Sequence, residues 1–310
     1  MSTLADQIEI ACLLEATARK PGNVHPGARF VDLEYADFVR AAAVSAPILA
    51  RTAELGVGPA ILDAVRATRS VCASNVNLGI CLLLAPIAAV DDPRTLRQGV
   101  GRVLRETTVA DAAAVYEAIR LASPGGMGSA DAQDVAAAPT VTLLEAMQLA
   151  AERDAIAYEW GTGFRGLDRD GVAWLRESWH EAEIVRRLAP RFPDGVPVQP
   201  WECAIIATQI LLMAQGDTLI RRKCGDETFR ESIRLANDAL HGGSWETPEG
   251  WEKIVALDGW LRADGHRRNP GTTADLMAAC LFWGIRKGWI VPPSQREILD
   301  HAHAIERACR

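Results

Sequence analysis

Helical periodicity runs along almost the whole chain, and no competing pattern does. In LADQIEIACLLEATAR, Ile8, Ala11, Cys12 and Glu15 fall at i, i+3, i+4 and i+7, so they share one helix face. Alternating β-branched strand patterns are almost absent. Such a chain buries its apolar stripes by packing helix on helix, which predicts an all-α fold. Helices are expected over 4–18, 36–54, 58–70, 74–89, 94–102, 109–121, 142–159, 171–188, 200–223, 228–240, 248–263, 273–287 and 293–308. Thr108 to Asp111 and Thr142 to Glu145 fit the capping-box spacing, and Thr247-Pro248 sets a cap before a first-turn proline. The breaks are rich in Gly and Pro, but none has the length or bias of an interdomain linker, and no fixed-period repeat occurs. One compact multi-helix domain over residues 1–310 is the economical expectation.

Composition narrows the function. A net charge of −7 and a pI near 5.5 leave no electrostatic footprint for nucleic acid or an anionic membrane. Anionic small ligands remain compatible with a local site. No apolar run reaches the roughly 18–20 residues of a membrane span; LGICLLLAPIAAV is too short and is cut by Pro86. MSTLADQIEI carries acids where a signal peptide needs bases. The seven cysteines are scattered without metal-site spacing, which suits buried, reduced thiols in a cytoplasmic protein.

Three corners depart from this plain pattern. KPGNVHP (20–26), SPGGMGSAD (123–131) and NPGTTAD (269–275) each place Pro-Gly in a polar loop at a helix boundary. Glycine admits close backbone approach, free N–H groups at a helix start suit phosphate oxygens, and a nearby Asp suits Mg²⁺. Each corner alone also reads as turn punctuation with a dipole-complementing acid. The three together point to a shared polyphosphate site.

Other polar residues are equally out of place. Asn75 is a fair helix cap, whereas Asn77 beside a long apolar run needs partners. Gly216-Asp217 lies inside a segment that otherwise reads as continuous helix, where glycine costs about 1 kcal/mol against alanine. Asp217 and Arg221 are spaced to pair, and Arg221, Arg222 and Lys223 precede Gly225 as cations at a helix C-terminus. Glu15 faces the core or a cleft. Arg153 and Asp154 read as a solvated face, and His301 and His303 as surface. No zinc spacing, Gly-x-Ser-x-Gly or P-loop is present.

EATARKPGNV, NVNLG, SPGG…AD, GDTLIRRKCG and NPGTTADLMAA, in that order from about residue 8 to 290, resemble the triphosphoribosyl-dephospho-CoA synthase family. The resemblance implies an all-helical enzyme that joins ATP to 3′-dephospho-CoA and releases adenine, with Mg²⁺ as cofactor. It implies catalytic or metal roles for the carboxylates Glu15, Asp131 or Asp134, Asp217 and Asp275, without dividing these roles among them. Lys20, Gly22, Asn23, His25, Asn75, Asn77, Gly125, Gly126, Arg221, His266 and Gly271 would form the nucleotide-binding set. The chain departs from the family's pattern at Asn23 and His25, where Leu and Asp are usual, in the longer second corner, and at His266, three residues before Asn269. Those departures suit a divergent branch whose acceptor differs, for example a pterin or another coenzyme precursor. A non-catalytic helical nucleotide-binding protein is the reading from another class; it predicts acids that face water as helix-dipole partners. Nine tryptophans leave room for an aromatic homodimer interface.

Overall fold

Caps decide where the helices begin, and the computed structural model, which describes residues 2–122, 134–188, 192, 194–241 and 248–310, shows most of them in place. The reciprocal Thr3/Asp6, Thr142/Glu145 and Ser294/Glu297 boxes open α1 (Leu4–Thr17), α8 (Leu143–Ala150) and α15 (Gln295–Ala308). Thr108 and Asp111 exchange the same bonds before α7 (Val109–Ala122). The remaining helices are α2 (Tyr35–Leu49), α3 (Thr52–Leu55), α4 (Val57–Val71), α5 (Leu78–Ala88), α6 (Leu96–Arg105), α9 (Ala155–Thr162), α10 (Val172–Leu188), α11 (Pro200–Met213), α12 (Thr218–His241), α13 (Pro248–Arg262) and α14 (Gly271–Arg286). The molecule is all-α, with no β-sheet among the described residues.

The core forms around the two most apolar helices. α14 buries Met277 to Ile285 without interruption, and α5 buries Ile80 to Ala88. Each fully buried leucine or phenylalanine there contributes roughly 1.5–3 kcal/mol. α1 packs on α2, α14 and α15, and α5 packs on α4 and α14. No single helix among the described residues is long and apolar enough to cross a membrane. All seven cysteines are free thiols, five of them buried.

The helix expected over 36–54 is split into α2 and α3, and three further boundaries differ from the sequence expectation for a local reason. The segment expected as one helix over 142–159 is two, because Asp154 caps α9 by accepting from the N–H groups of Ile156 (2.9 Å) and Ala157 (3.0 Å). The segment expected over 200–223 breaks at Gly216, whose φ of +104° only glycine adopts freely, and a Cβ there would stand 2.5 Å from the Phe229 ring. The glycine is therefore a helix end. Asn75 and Asn77 precede α5 rather than starting a helix at 74. Gly225 interrupts α12 as expected, with φ +83°.

Candidate active site

A cleft of about 970 Å³ opens where the starts of α5, α9, α12 and α14 meet, flanked by α7 and α8. Its deepest polar groups are acids. Glu15, in the last turn of α1, is 3% exposed and pairs at 2.8 Å with the fully buried ammonium of Lys20, which also donates to the Glu15 carbonyl. Asp275, one turn into α14, lies over Gly79, where any Cβ would collide with its carboxylate. Burial, then the charges of Glu15, Asp217 and Asp154, push the Asp275 carboxyl well above the usual carboxylate range; the N–H of Ile80 offsets only part of this. Two acids thus share one floor in different environments, one paired with a cation and one crowded by like charge.

The edge of the cleft carries the opposite charge. Arg69, Arg153, Arg221, Arg222 and Lys223 line it. Arg221 is bound to Asp226 (2.6 Å), not to Asp217, and Arg222 pairs with Asp154 at 3.3 Å. Burial and the neighbouring Arg222 lower the Lys223 ammonium below its ordinary range, as expected where cations crowd. Asp134 also lines the cleft and, with Arg153, acts electrostatically on Tyr116. His266 also lines the cleft, binds Asp32 (2.8 Å) and stands edge-on to Phe30.

Of the residues expected at a site, Glu15, Asn23, Asn75, Asn77, Asp134, Arg221, His266, Gly271 and Asp275 all line this cleft. Asn75 accepts from the N–H of Leu78 (3.2 Å), while Asn77 donates to Thr68 (3.0 Å) and Ser45 (3.3 Å), which supplies the partners its buried amide needs. The first and third corners meet through Asn23, which donates to Asn269 (2.8 Å) and accepts from Gln209 (2.9 Å). Gly125, Gly126 and Asp131 lie outside the described residues.

Five expectations need correction. Lys20 does not reach the cleft, because its ammonium is turned back into the ion pair with Glu15. Gly22 spends its N–H on Asp258 (2.8 Å) and, at φ +74°, packs against Leu261 and Pro270. His25 accepts from the N–H of Gly27 (3.1 Å) outside the lining, and burial, then Arg262, hold its imidazole well below the ordinary range. Asp217 is 1% exposed behind the wall; four protein donors occupy its oxygens, which does not fit a metal ligand. His301 is also not a surface residue, being buried against Glu202 at 3.1 Å.

Sequence reasoning missed Asp154, Lys223 and Arg222 as cleft residues. The missed signal was the capping position of Asp154 before an apolar helix; read instead as part of one long helix, it looks solvated.

The family model CitG, described as ATP:dephospho-CoA triphosphoribosyl transferase, matches residues 1–290. No curated protein matches the chain. Among solved structures, a crystal structure from Archaeoglobus fulgidus, provisionally named triphosphoribosyl-dephospho-CoA synthase, matches with a TM-score of 0.59 and 23% identity, covering 81% of this chain and 99% of its own. At that identity the structural likeness speaks for the fold.

Proposed function

The chain belongs to the ATP:dephospho-CoA triphosphoribosyl transferase family, and from that premise we propose that it moves the triphosphoribosyl group of ATP to 3′-dephospho-CoA, releasing adenine, with Mg²⁺ as cofactor. The observation that carries this reading is one cleft lined by the buried Glu15 and the half-buried Asp275, with cations along its edge. Breaking the bond between ribose C1′ and adenine creates positive charge at the sugar, and the triphosphate must be clamped while it happens.

The two floor acids divide the work. The bond from C1′ to adenine nitrogen breaks, a bond from C1′ to the acceptor's hydroxyl oxygen forms, and adenine gains the proton that the hydroxyl loses. Asp275, whose carboxyl burial and then the neighbouring acids push well above the usual carboxylate range, is the proton donor to the leaving base. Glu15, ion-paired with Lys20, places a carboxylate near the developing sugar charge and takes the hydroxyl proton. Arg221, Arg222 and Lys223 hold the phosphates, with Arg69 and Arg153 beside them.

Mg²⁺ favours hard oxygen donors, commonly one or two carboxylates plus substrate phosphates. Asp154 and Asp134 are cleft-lining carboxylates near the cations and fit that requirement. Bound there, Mg²⁺ would neutralise triphosphate charge.

The test is an incubation with ATP, Mg²⁺ and 3′-dephospho-CoA, with and without a chelator, read by mass spectrometry. Adenine and the adduct in equal amounts, both lost on chelation, are the expected result. Adenine without the adduct would replace the acceptor in this reading, and neither product with ATP bound would overturn it.

A further inference from the structure

The least exposed acid near the cleft does not line it. Asp217 sits between α11 and α12, and four donors from two elements converge on its carboxylate. Oδ1 accepts from the N–H groups of Leu219 (2.8 Å) and Ile220 (3.1 Å), at the start of α12. Oδ2 accepts from the N–H and the hydroxyl of Thr273, both at 2.8 Å, at the start of α14. The neighbouring Thr218 hydroxyl accepts from the N–H of Ala155 (3.2 Å), which adds the start of α9 to the same joint.

These three starts carry the chemistry. Four residues after Asp217 come Arg221, Arg222 and Lys223; two residues after Thr273 comes Asp275; one residue before Ala155 comes Asp154. We propose that Asp217 is a positioning residue, whose buried carboxylate locks the start of α12 to the start of α14 and so fixes the phosphate-holding cations relative to Asp275. A neutral side chain cannot replace it fully. Asparagine presents one acceptor oxygen and an NH₂ group, so one set of the four donors would face another donor.

Asp217 also acts at a distance. The groups facing Asp275 are Glu15 and the Cys12 thiol from α1, Asp154 from the start of α9, Asp217, and the Cys81 thiol and Ile80 N–H of α5. Asp217 is one of only three acids among them.

The inference rests on the proposed function, and the test separates the two. Asp217→Asn, Thr273→Val and Thr273→Ser are compared with wild type for kcat, for ATP affinity by calorimetry, and for the pH dependence of kcat. Asp217→Asn is expected to lose about 100-fold in kcat, because a small misplacement of reacting groups has that effect. Its ATP affinity falls several-fold, and the alkaline limb of its pH profile moves down by about half to one unit as Asp275 loses a like-charged neighbour. Thr273→Val removes one donor and loses about tenfold, while Thr273→Ser retains wild-type behaviour. A purely structural role would lower the folded fraction and leave the limb in place. Folded Asp217→Asn with wild-type kcat, affinity and limb overturns the inference. Should that variant not fold, Thr273→Val with wild-type kcat and affinity overturns it instead. If wild type makes no adduct, the proposed function fails, and the ATP titrations still judge the positioning role.

Discussion

Arg19 and Lys20 are adjacent, buried and cationic, yet they serve two different clusters. Arg19 binds Glu202 through Nε (2.7 Å), Nη2 (2.8 Å) and its backbone N–H (3.0 Å), reaches Asp194 through Nη1 (2.8 Å), and stacks on Phe192. His301 completes the cluster on Glu202. Burial alone would raise the Glu202 carboxyl, but Arg19 and His301 hold it at about 2. The cluster joins the end of α1 to α11 and α15, and both of its carboxylates are paired with the Arg19 guanidinium. Lys20, by contrast, serves Glu15 alone, and the neighbouring Asp275 faces other acids, two thiols and a backbone N–H. Saturated charges hold the fold; frustrated charges mark the site. A buried carboxylate without a counter-ion is retained at an energetic cost, and a cleft beside it gives a reason for that cost.

Variants at the two clusters sharpen this contrast. Glu15→Gln should lose at least about 1,000-fold in turnover and also about 3 kcal/mol of stability, since it strands the Lys20 ammonium. Glu15→Gln combined with Lys20→Met should regain stability by denaturant titration and no activity. Regained activity would break the assignment of Glu15. Glu202→Gln should destabilise by about 3–5 kcal/mol while the remaining folded enzyme keeps its kcat. In wild type, Glu202 has a depressed folded value, so its contribution is present above the ordinary carboxylate range and is lost as pH falls from about 4.5 to about 2. That window spans on the order of 3 kcal/mol. A low kcat in folded Glu202→Gln would blur the division between clusters.

Glu159 gives a control with the opposite sign. It is buried away from the cleft, accepts from Leu167 N–H (3.0 Å), and is pushed up to about 7 by burial, with Asp170 adding to the effect. Its folded value is raised, so its contribution is complete below about 4.5 and is lost as pH rises through about 7. Glu159→Gln should therefore gain about 1–3 kcal/mol at pH 8 and nothing at pH 4, with kcat unchanged. Equal stability at both pH values would contradict this. The smallest effect is expected for Arg222→Ala: about a five- to tenfold rise in KM for ATP, about 1 kcal/mol, reduced by salt. Its kcat stays constant, and an unmoved KM would remove Arg222 from the phosphate set.

Most of the fold was legible because helical period and caps are local. Glu15 on an apolar stripe, Asn77 beside an apolar run and the paired corners 20–26 and 269–275 were legible for the same reason: each is a polar group where burial demands partners. What the sequence concealed was direction. Lys20 reads as a phosphate binder until its side chain is seen turned inward, and Asp217 reads as a ligand until its oxygens are seen occupied by α12 and α14. Asp154 was hidden by a boundary, since one long helix and two capped helices share the same apolar pattern through 142–159. Only the Asp217 error depends on residues distant in sequence, 56 positions separating it from Thr273, whereas Lys20 and Glu15 are five apart and were misread in direction alone.

Asp275 carries the central claim, that the frustrated acid is the chemical one. The direct measurement is adenine release by Asp275→Asn at saturating ATP, Mg²⁺ and 3′-dephospho-CoA, with folding checked by thermal unfolding. The account predicts at least about a 100-fold loss of rate, with ATP still bound and a melting temperature equal to or above wild type, because a group whose ionised form the site disfavours has been replaced by one that never ionises. Wild-type release from the folded variant would contradict it.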